Sequence, residues 1–242
     1  DQLALITYNQ STSMTTLMIP LFILMAEFLA NSDVAGDLFE VVSRRLRRLP
    51  ANLAISSITA SAIFSAVCGS APATAATLGR ISIPMMLKKG YHPTIAGGTQ
   101  AAGGNLGILI PPSINFIMYG LVTETSVAKL FMAGVLPGLL IAAMMIAYVV
   151  VRSKLDPKMI VESKEAREET MLKMDRTVGY DLLTVGPIIL LILVIFGSLY
   201  SGIATATESA AIGAIGALVL VVGQKRMNRS CMQKTLLNTA ST

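Results

Sequence analysis

Residues 103–113 read GGNLGILIPPS: two glycines, an asparagine, an apolar run, then two adjacent prolines and a serine. Such density of glycine and proline belongs to a loop, because glycine permits unusual backbone angles and proline removes an amide donor and blocks a helical turn. Yet the flanks, 93–102 and 114–122, are apolar. Each is too short to cross a bilayer alone, and together they cross once. Residues 103–113 are therefore expected to be the unwound middle of a broken helix. Irregular backbone at membrane depth is tolerated only where it is buried in protein or lines a wet cavity, since lipid offers no hydrogen bonds.

Composition agrees with a membrane setting. Of 242 residues, 53% are hydrophobic and 14% charged, against roughly 25% charged in soluble domains. The expected fold class is an all-α polytopic membrane protein. Stretches 13–30, 127–151, 182–199 and 209–222 approach or reach spanning length, the last by recruiting part of 202–207. No segment has the cationic start, short apolar core and cleavage site of a signal peptide. The chain opens on Asp1 and closes just inside a new polar stretch, so a fragment is expected. Cys68 and Cys231 are too few for a disulfide framework and lack metal spacing. His92 is the single histidine, so no His-based metal site and no Ser–His machinery can be built within the chain. No aspartate falls inside an apolar span, which argues against an intramembrane enzyme. A purely scaffolding subunit would have no reason to break its helices.

The net charge of +5 suggests nucleic acid only until the basic residues are located. They lie beside apolar segments: Arg44, Arg45, Arg47 and Arg48; Lys88 and Lys89; a set from Arg152 to Arg176; and Lys225, Arg226, Arg229 and Lys234. Positive charge concentrates on the cytoplasmic side of membrane proteins. The loops that should then face outward, 1–13, 123–126 and 200–207, contain no Lys or Arg, and only Arg80 and Lys129 escape the scheme. No nucleic acid is expected as a partner; membrane lipid is.

This topology puts both ends of residues 50–87 in the cytoplasm. The arms 52–67 and 73–87 are each short for a crossing, and CGSAP (68–72) between them holds a glycine, a serine and a proline. A re-entrant helical hairpin follows, its tip at Cys68 to Ala71 bordering a cavity. A re-entrant tip and a helix break at membrane depth are the plan of ion-coupled secondary transporters. Broken helices expose amides at one half-helix start, which attract an anion, and carbonyls at another half-helix end, which ligate Na⁺. Gly69, Gly103, Gly104 and Gly107 permit close backbone approach, and Pro111 and Pro112 keep the gap open.

Other features have simpler readings. Residues 33–49 form an amphipathic pattern with Asp33 and Asp37 early and arginines late, as the helix dipole prefers, and Pro50 ends it. This helix is expected to lie at the cytoplasmic interface. Arg80 is about 12 Å from Lys88 at a 1.5 Å rise, within snorkelling reach of the surface, though an intramembrane arginine is also a candidate for meeting an anion. Thr205 and Glu208 have capping-box spacing, a structural role in preference to proton coupling. Ser209, Gly213 and Ala217 recur every four residues as a close-packing face. Glu27 is expected near the cytoplasmic end of its helix, solvated.

The runs FSAVCGSAPATAATLGRISI (64–83), PMMLKKGY (84–91) and GGNLGILIPPSINFIMYGLVTETSVAKLFMAGVLPGLL (103–140) resemble the large membrane subunit of tripartite ATP-independent periplasmic (TRAP) transporters. The resemblance extends from LMIPLFILMA (17–26) to TATESAAIGAIG (205–216). It implies a permease in the bacterial inner membrane with an elevator-type moving domain. Such a permease imports organic anions such as C4-dicarboxylates or sugar acids, coupled to Na⁺ and without a bound cofactor. Its partners would be a periplasmic substrate-binding protein and a small membrane subunit. The alternative is another ion-coupled carrier of organic anions that uses no binding protein. The family also carries a second hairpin and a second broken helix, which this sequence lacks, so it covers roughly the first three-fifths.

The parts are then an outer helix plus interfacial helix (1–50), half of a transport domain (51–122, with hairpin 51–89 and broken helix 93–122), a transmembrane helix and cytoplasmic loop (123–179), and the start of the second half (180–242). Where family members have a serine-rich tip, this chain has Cys68 and Ala71 at the outer positions, keeping Gly69 and Ser70. The expected Na⁺ site uses mainly backbone carbonyls of Gly69, Ser70, Gly103, Gly104, Asn105 and Gly107. The expected solute site uses Ser70, Ala71, Thr74, Asn105, Pro112 and Ser113.

Overall fold

The computed structural model describes residues 16–156 and 178–241; the start of the first expected span and most of the loop after Arg152 lie outside them. The described chain forms helices α1 (Met18–Ala30), α2 (Val34–Arg45), α3 (Asn52–Cys68), α4 (Ala71–Lys88), α5 (Pro93–Gly104), α6 (Leu106–Leu109), α7 (Ile114–Thr123), α8 (Val127–Leu155), α9 (Val178–Tyr200), α10 (Ala206–Gly223) and α11 (Arg229–Ser241). Four helical stretches are long and apolar enough to cross a membrane: Pro93–Thr123, Val127–Leu155, Gly179–Tyr200 and Ala206–Gly223. The chain is a polytopic membrane protein.

α1 and α2 meet at a 65° bend. At the junction the Ser32 hydroxyl donates to the Leu29 carbonyl at 3.0 Å, and Asp33 takes a left-handed conformation, φ 57°. The interfacial helix is shorter than its pattern suggests: it stops at Arg45, and Leu46 to Leu49 form a turn closed by Leu49 N–H to the Leu46 carbonyl. Pro50 disfavours helix at the residue before it, and Ala51 at φ 55° turns the chain into α3. Nor does α2 simply lie on lipid. Leu38 and Phe39 are fully buried, with α3 and α4 packed beside them.

The hairpin α3–α4 closes at its base through one side chain. The Tyr91 hydroxyl donates to Asn52 Oδ1 at 3.3 Å and accepts from the Leu53 amide at 3.4 Å. Start and exit of the hairpin are therefore adjacent, as the re-entrant topology requires. Arms of 17 and 18 residues reach about 26 Å at 1.5 Å per residue. α3 is buried almost all round, the property of a central helix. Gln100 on α5 ties the layers together: its Oε1 accepts from Ser57 at 2.6 Å and Ser82 at 2.8 Å, and its Nε2 donates to the Ala75 carbonyl at 3.4 Å.

α10 packs against α1 and α9 through the small-residue face. A methyl at Gly213 would stand 2.7 Å from Met25 Sδ and 3.1 Å from Ile195 Cδ1, and the Ser198 and Ser209 hydroxyls are 3.2 Å apart. Its start carries the complete capping box: Thr205 N–H donates to Glu208 Oε2 at 2.7 Å and Glu208 N–H to Thr205 Oγ1 at 3.3 Å.

Basic residues expected on one side do gather at one end. Buried Arg44 and half-exposed Arg45 both pair with Asp181 at the foot of α9, and Arg226 pairs with Asp37 and donates to the Ser32 carbonyl. Glu27 departs from its solvated expectation. It is half-buried and accepts from Asn31 at 2.9 Å and from Asn238 at 2.8 Å, because α11 folds back over the end of α1.

Candidate functional site

The hairpin tip is built from one glycine and one extended serine. α3 ends on Gly69, whose left-handed φ of 63° lets its N–H return to the Ser65 carbonyl at 3.1 Å, the usual way to satisfy a helix C-terminus. Ser70 is extended, and α4 starts with Ala71 and Pro72; proline in a first turn sacrifices an amide that had no helical partner.

The break opposite is shorter than 103–113. α5 and α6 continue the helix to Leu109 with one hitch at Asn105, and only Ile110 to Ser113 are unwound, around a cis Pro111–Pro112 bond. The physical reason is that glycines in an apolar setting do not by themselves unwind a helix. Leaving backbone groups unpaired there is too unfavourable, whereas two prolines enforce it. With 17 residues from Pro93 to Leu109 and 10 in α7, the break lies beyond the middle of the span.

Tip and break interlock. The Gly69 carbonyl accepts from the Ile114 amide at 3.2 Å, so the tip caps the first free N–H of α7. A methyl on Gly69 would stand 2.4 Å from the Pro112 carbonyl oxygen, and one on Gly107 would stand 2.8 Å from the Ser70 carbonyl. Of the expected site residues, the fold thus brings Gly69, Ser70, Ala71, Gly107, Pro112 and Ser113 into one contact. Thr74 sits one turn into α4, fully buried. Gly103 and Gly104 lie in helix and serve packing: their absent methyls would meet Ser61 Oγ at 3.0 Å and Ala75 Cβ at 2.5 Å. Asn105 is exposed on the outer side of α5.

Around the interlock are hydroxyls that meet no partner. Ser65 and Ser113 are fully buried, and among the described residues their oxygens make no hydrogen bond, as is true of Ser61 a turn further down α3, while equally buried Thr74 faces the Cys68 thiol. Buried polar atoms are ordinarily satisfied, so this group has oxygen ligands to spare for a hard cation. Sequence reading missed Ser61 and Ser65. The signal was available: Ser57, Ser61 and Ser65 repeat every four residues on an otherwise apolar helix.

Clefts also open elsewhere among the described residues. One of 670 Å³ separates α5 from α8, lined by Ile95, Gly98, Met144, Tyr148 and Arg152. Another of 810 Å³ lies at the opposite end, between the α7–α8 and α9–α10 turns, and includes Glu124, Thr125, Ser126 and Thr205.

Residues 3–242 match a family model described as tripartite ATP-independent periplasmic transporter, DctM component. The chain is 38% identical over 240 residues to the C4-dicarboxylate TRAP transporter large permease protein DctM of Pseudomonas aeruginosa, covering 98% of this chain and 54% of that one. It is 39% identical to the DctM of the same description from Vibrio cholerae, over 83% of this chain and 42% of that one. To the isethionate TRAP transporter permease protein DctMQ of Oleidesulfovibrio alaskensis it is 30% identical, over 91% of this chain and 33% of that one. The chain therefore spans about half, or less, of the length of these curated relatives.

Proposed function

The chain belongs to the DctM, or large permease, family of tripartite ATP-independent periplasmic transporters, and from that premise we propose that it is the part of a Na⁺-coupled importer that carries one ion site and one wall of the solute site. The protein would sit in the bacterial inner membrane and work with a small membrane subunit and a periplasmic substrate-binding protein. Its cargo would be a small organic anion. Relatives named for C4-dicarboxylates and for isethionate point to carboxylates and sulfonates as the chemical class.

The observation that supports this reading is the interlock of Gly69 with the Ile110 to Ser113 break. A Na⁺ ion there would draw on backbone carbonyls of Gly69, Ser70 and Gly107, and on the buried hydroxyls of Ser65, Thr74 and Ser113. Neutral oxygens bind the ion without burying a full carboxylate charge. The solute's acid group would approach Ser70, Ala71, Thr74, Asn105, Pro112 and Ser113, beside the start of α7. Uptake of labelled succinate and isethionate by the full-length permease, reconstituted with its small subunit and binding protein, tests the reading. Uptake should require an inward Na⁺ gradient and no ATP. Undiminished uptake on a proton gradient alone would overturn the coupling, and uptake without the binding protein would favour a free-standing carrier.

A further inference from the structure

The two sides of α4 differ in chemistry. Thr74, Leu78, Ser82 and Met86, four apart, are buried. Pro72, Ala76, Arg80 and Pro84, also four apart, are exposed. A face turned to lipid carries bulky aliphatic side chains, and this protein has such faces: Leu136, Leu140 and Met144 on α8, Leu183, Leu190 and Leu193 on α9. The open face of α4 carries none before Leu87 at its foot. Two prolines, an alanine and an arginine offer lipid little apolar surface and one charge it would reject; small residues and intramembrane charges instead face protein or water-filled cavities.

α5 extends the same wall. Gly104 rests on Ala75 and Gln100 on Gly79, while Gly103 rests on Ser61 of α3. With those sides occupied, Ala101, Asn105 and Ile108 remain exposed, on the side turned away from α3, as is the open face of α4. The register of the Gln100–Gly79 and Gly104–Ala75 contacts sets Asn105 about one turn nearer the tip than Arg80. Among the described residues neither side chain has a hydrogen-bond or ion-pair partner. One guanidinium and one primary amide therefore share a wall of small residues that starts at the hairpin tip.

We propose that this wall lines the wet solute cavity and that Arg80 is the fixed positive charge that receives the solute's acid group, with the Asn105 amide donating one turn closer to the tip. The inference rests on the permease reading and adds the residue that selects for anions. A guanidinium offers paired donors that fit carboxylate and sulfonate oxygens. Without a built-in carboxylate partner it stays available to the cargo, and it raises the local concentration of anions before they bind.

The test uses the full-length permease freed of native cysteines, Cys68→Ala and Cys231→Ala among them, in detergent. Ala76→Cys places a thiol one turn from Arg80, about 6 Å away. Its reaction rates are measured with an anionic sulfonatoethyl and a cationic trimethylammonioethyl methanethiosulfonate. Both should react, and adding Arg80→Gln should lower the anionic-to-cationic rate ratio about tenfold, since a unit charge ~6 Å away in a water-like medium shifts each rate about threefold in opposite directions. Absence of reaction, or an unchanged ratio, overturns the inference. Labelling does not depend on transport, so a chain that labels as expected yet takes up neither succinate nor isethionate refutes the permease reading instead. In an active complex, Arg80→Gln should raise the succinate KM at least tenfold with an unchanged Tm, and Arg80→Lys should recover part of it. An arginine that only reaches for lipid headgroups would change Tm and leave KM alone, which would also overturn the proposal.

Discussion

Replacing Gly69 by alanine isolates the interlock between tip and break. Two penalties apply. A non-glycine residue at φ 63° loses roughly 1–2 kcal/mol. The new methyl would stand 2.4 Å from the Pro112 carbonyl oxygen, and overpacking against backbone costs roughly 1–3 kcal/mol more. Together about 2–5 kcal/mol would oppose docking, a factor of roughly 30 to 4,000 at 1.4 kcal/mol per decade. Gly107→Ala carries only the contact penalty, roughly 1–3 kcal/mol, with its methyl 2.8 Å from the Ser70 carbonyl. Gly97→Ala, on α5 with nothing within 4 Å, is the control. The assay is Na⁺-dependent uptake in proteoliposomes, with expression and Tm measured in parallel. Uptake should fall, or the Na⁺ concentration for half-maximal rate rise, in the order Gly69→Ala, then Gly107→Ala, with Gly97→Ala near wild type. A well-folded Gly69→Ala protein whose Na⁺ dependence stayed within twofold of wild type would refute the claim that the interlock makes the ion site.

Three further expectations concern the frame around it. Single cysteines at Arg48 and Lys88, in a background lacking Cys68 and Cys231, should both label from the cytoplasm; labelling of position 88 only from the periplasm would end the re-entrant hairpin. Asp181→Asn removes one of the two carboxylates that hold buried Arg44, leaving Glu40, and should cost at most about 3–5 kcal/mol, read as a lower Tm, whereas Arg44→Met with Asp181→Leu should recover most of it. Glu208→Ala removes half of the capping box and should lower Tm while leaving Na⁺ dependence unchanged; loss of coupling at normal Tm would instead make Glu208 part of the ion mechanism.

The architecture was legible because it follows from rules that act locally. Basic clusters fixed which ends share a side, and Tyr91 closing on Asn52 shows the hairpin base that those clusters demanded. The prolines marked the break correctly, but the glycines were over-read: 103–109 stays helical because packing on Ser61, Ala75 and Ser70 needs small residues, not unwinding. Sequence cannot distinguish these two uses of glycine, since both require only the missing methyl. The Asp181 partnership with Arg44 and Arg45 was invisible for a different reason, being a contact across 137 residues. Ser61 and Ser65 share a four-residue stripe with Ser57, which is bonded to Gln100. Such a stripe does not by itself mark a site, because hydroxyls in a membrane helix ordinarily bond their own backbone, as Thr59 does to the Ile55 carbonyl at 2.9 Å.

The position of α2 constrains how the hairpin could move. α10 packs on both α1 and α9, the hairpin packs on α5 and, through α3, on α1, and α2 touches both groups: its apolar face meets α3 and α4, while Arg44 and Arg45 hold Asp181 of α9. Asp37 on its first turn holds Arg226 beyond α10. The interiors of α1, α2 and α3 are hydrogen-bonded helix, so a rigid displacement of the hairpin against α1 would have to be absorbed at the two ends of α2. Both ends hold a non-glycine residue in the left-handed region, Asp33 at 57° and Ala51 at 55°. Such backbone is uncommon and persists only where surrounding contacts maintain it. Beside Asp33, Arg226 donates to the Ser32 carbonyl while paired with Asp37, and Ala51 is buried. Asp37→Asn would free Arg226 beside the Asp33 junction, so its effect on transport rate should exceed what its effect on Tm alone implies.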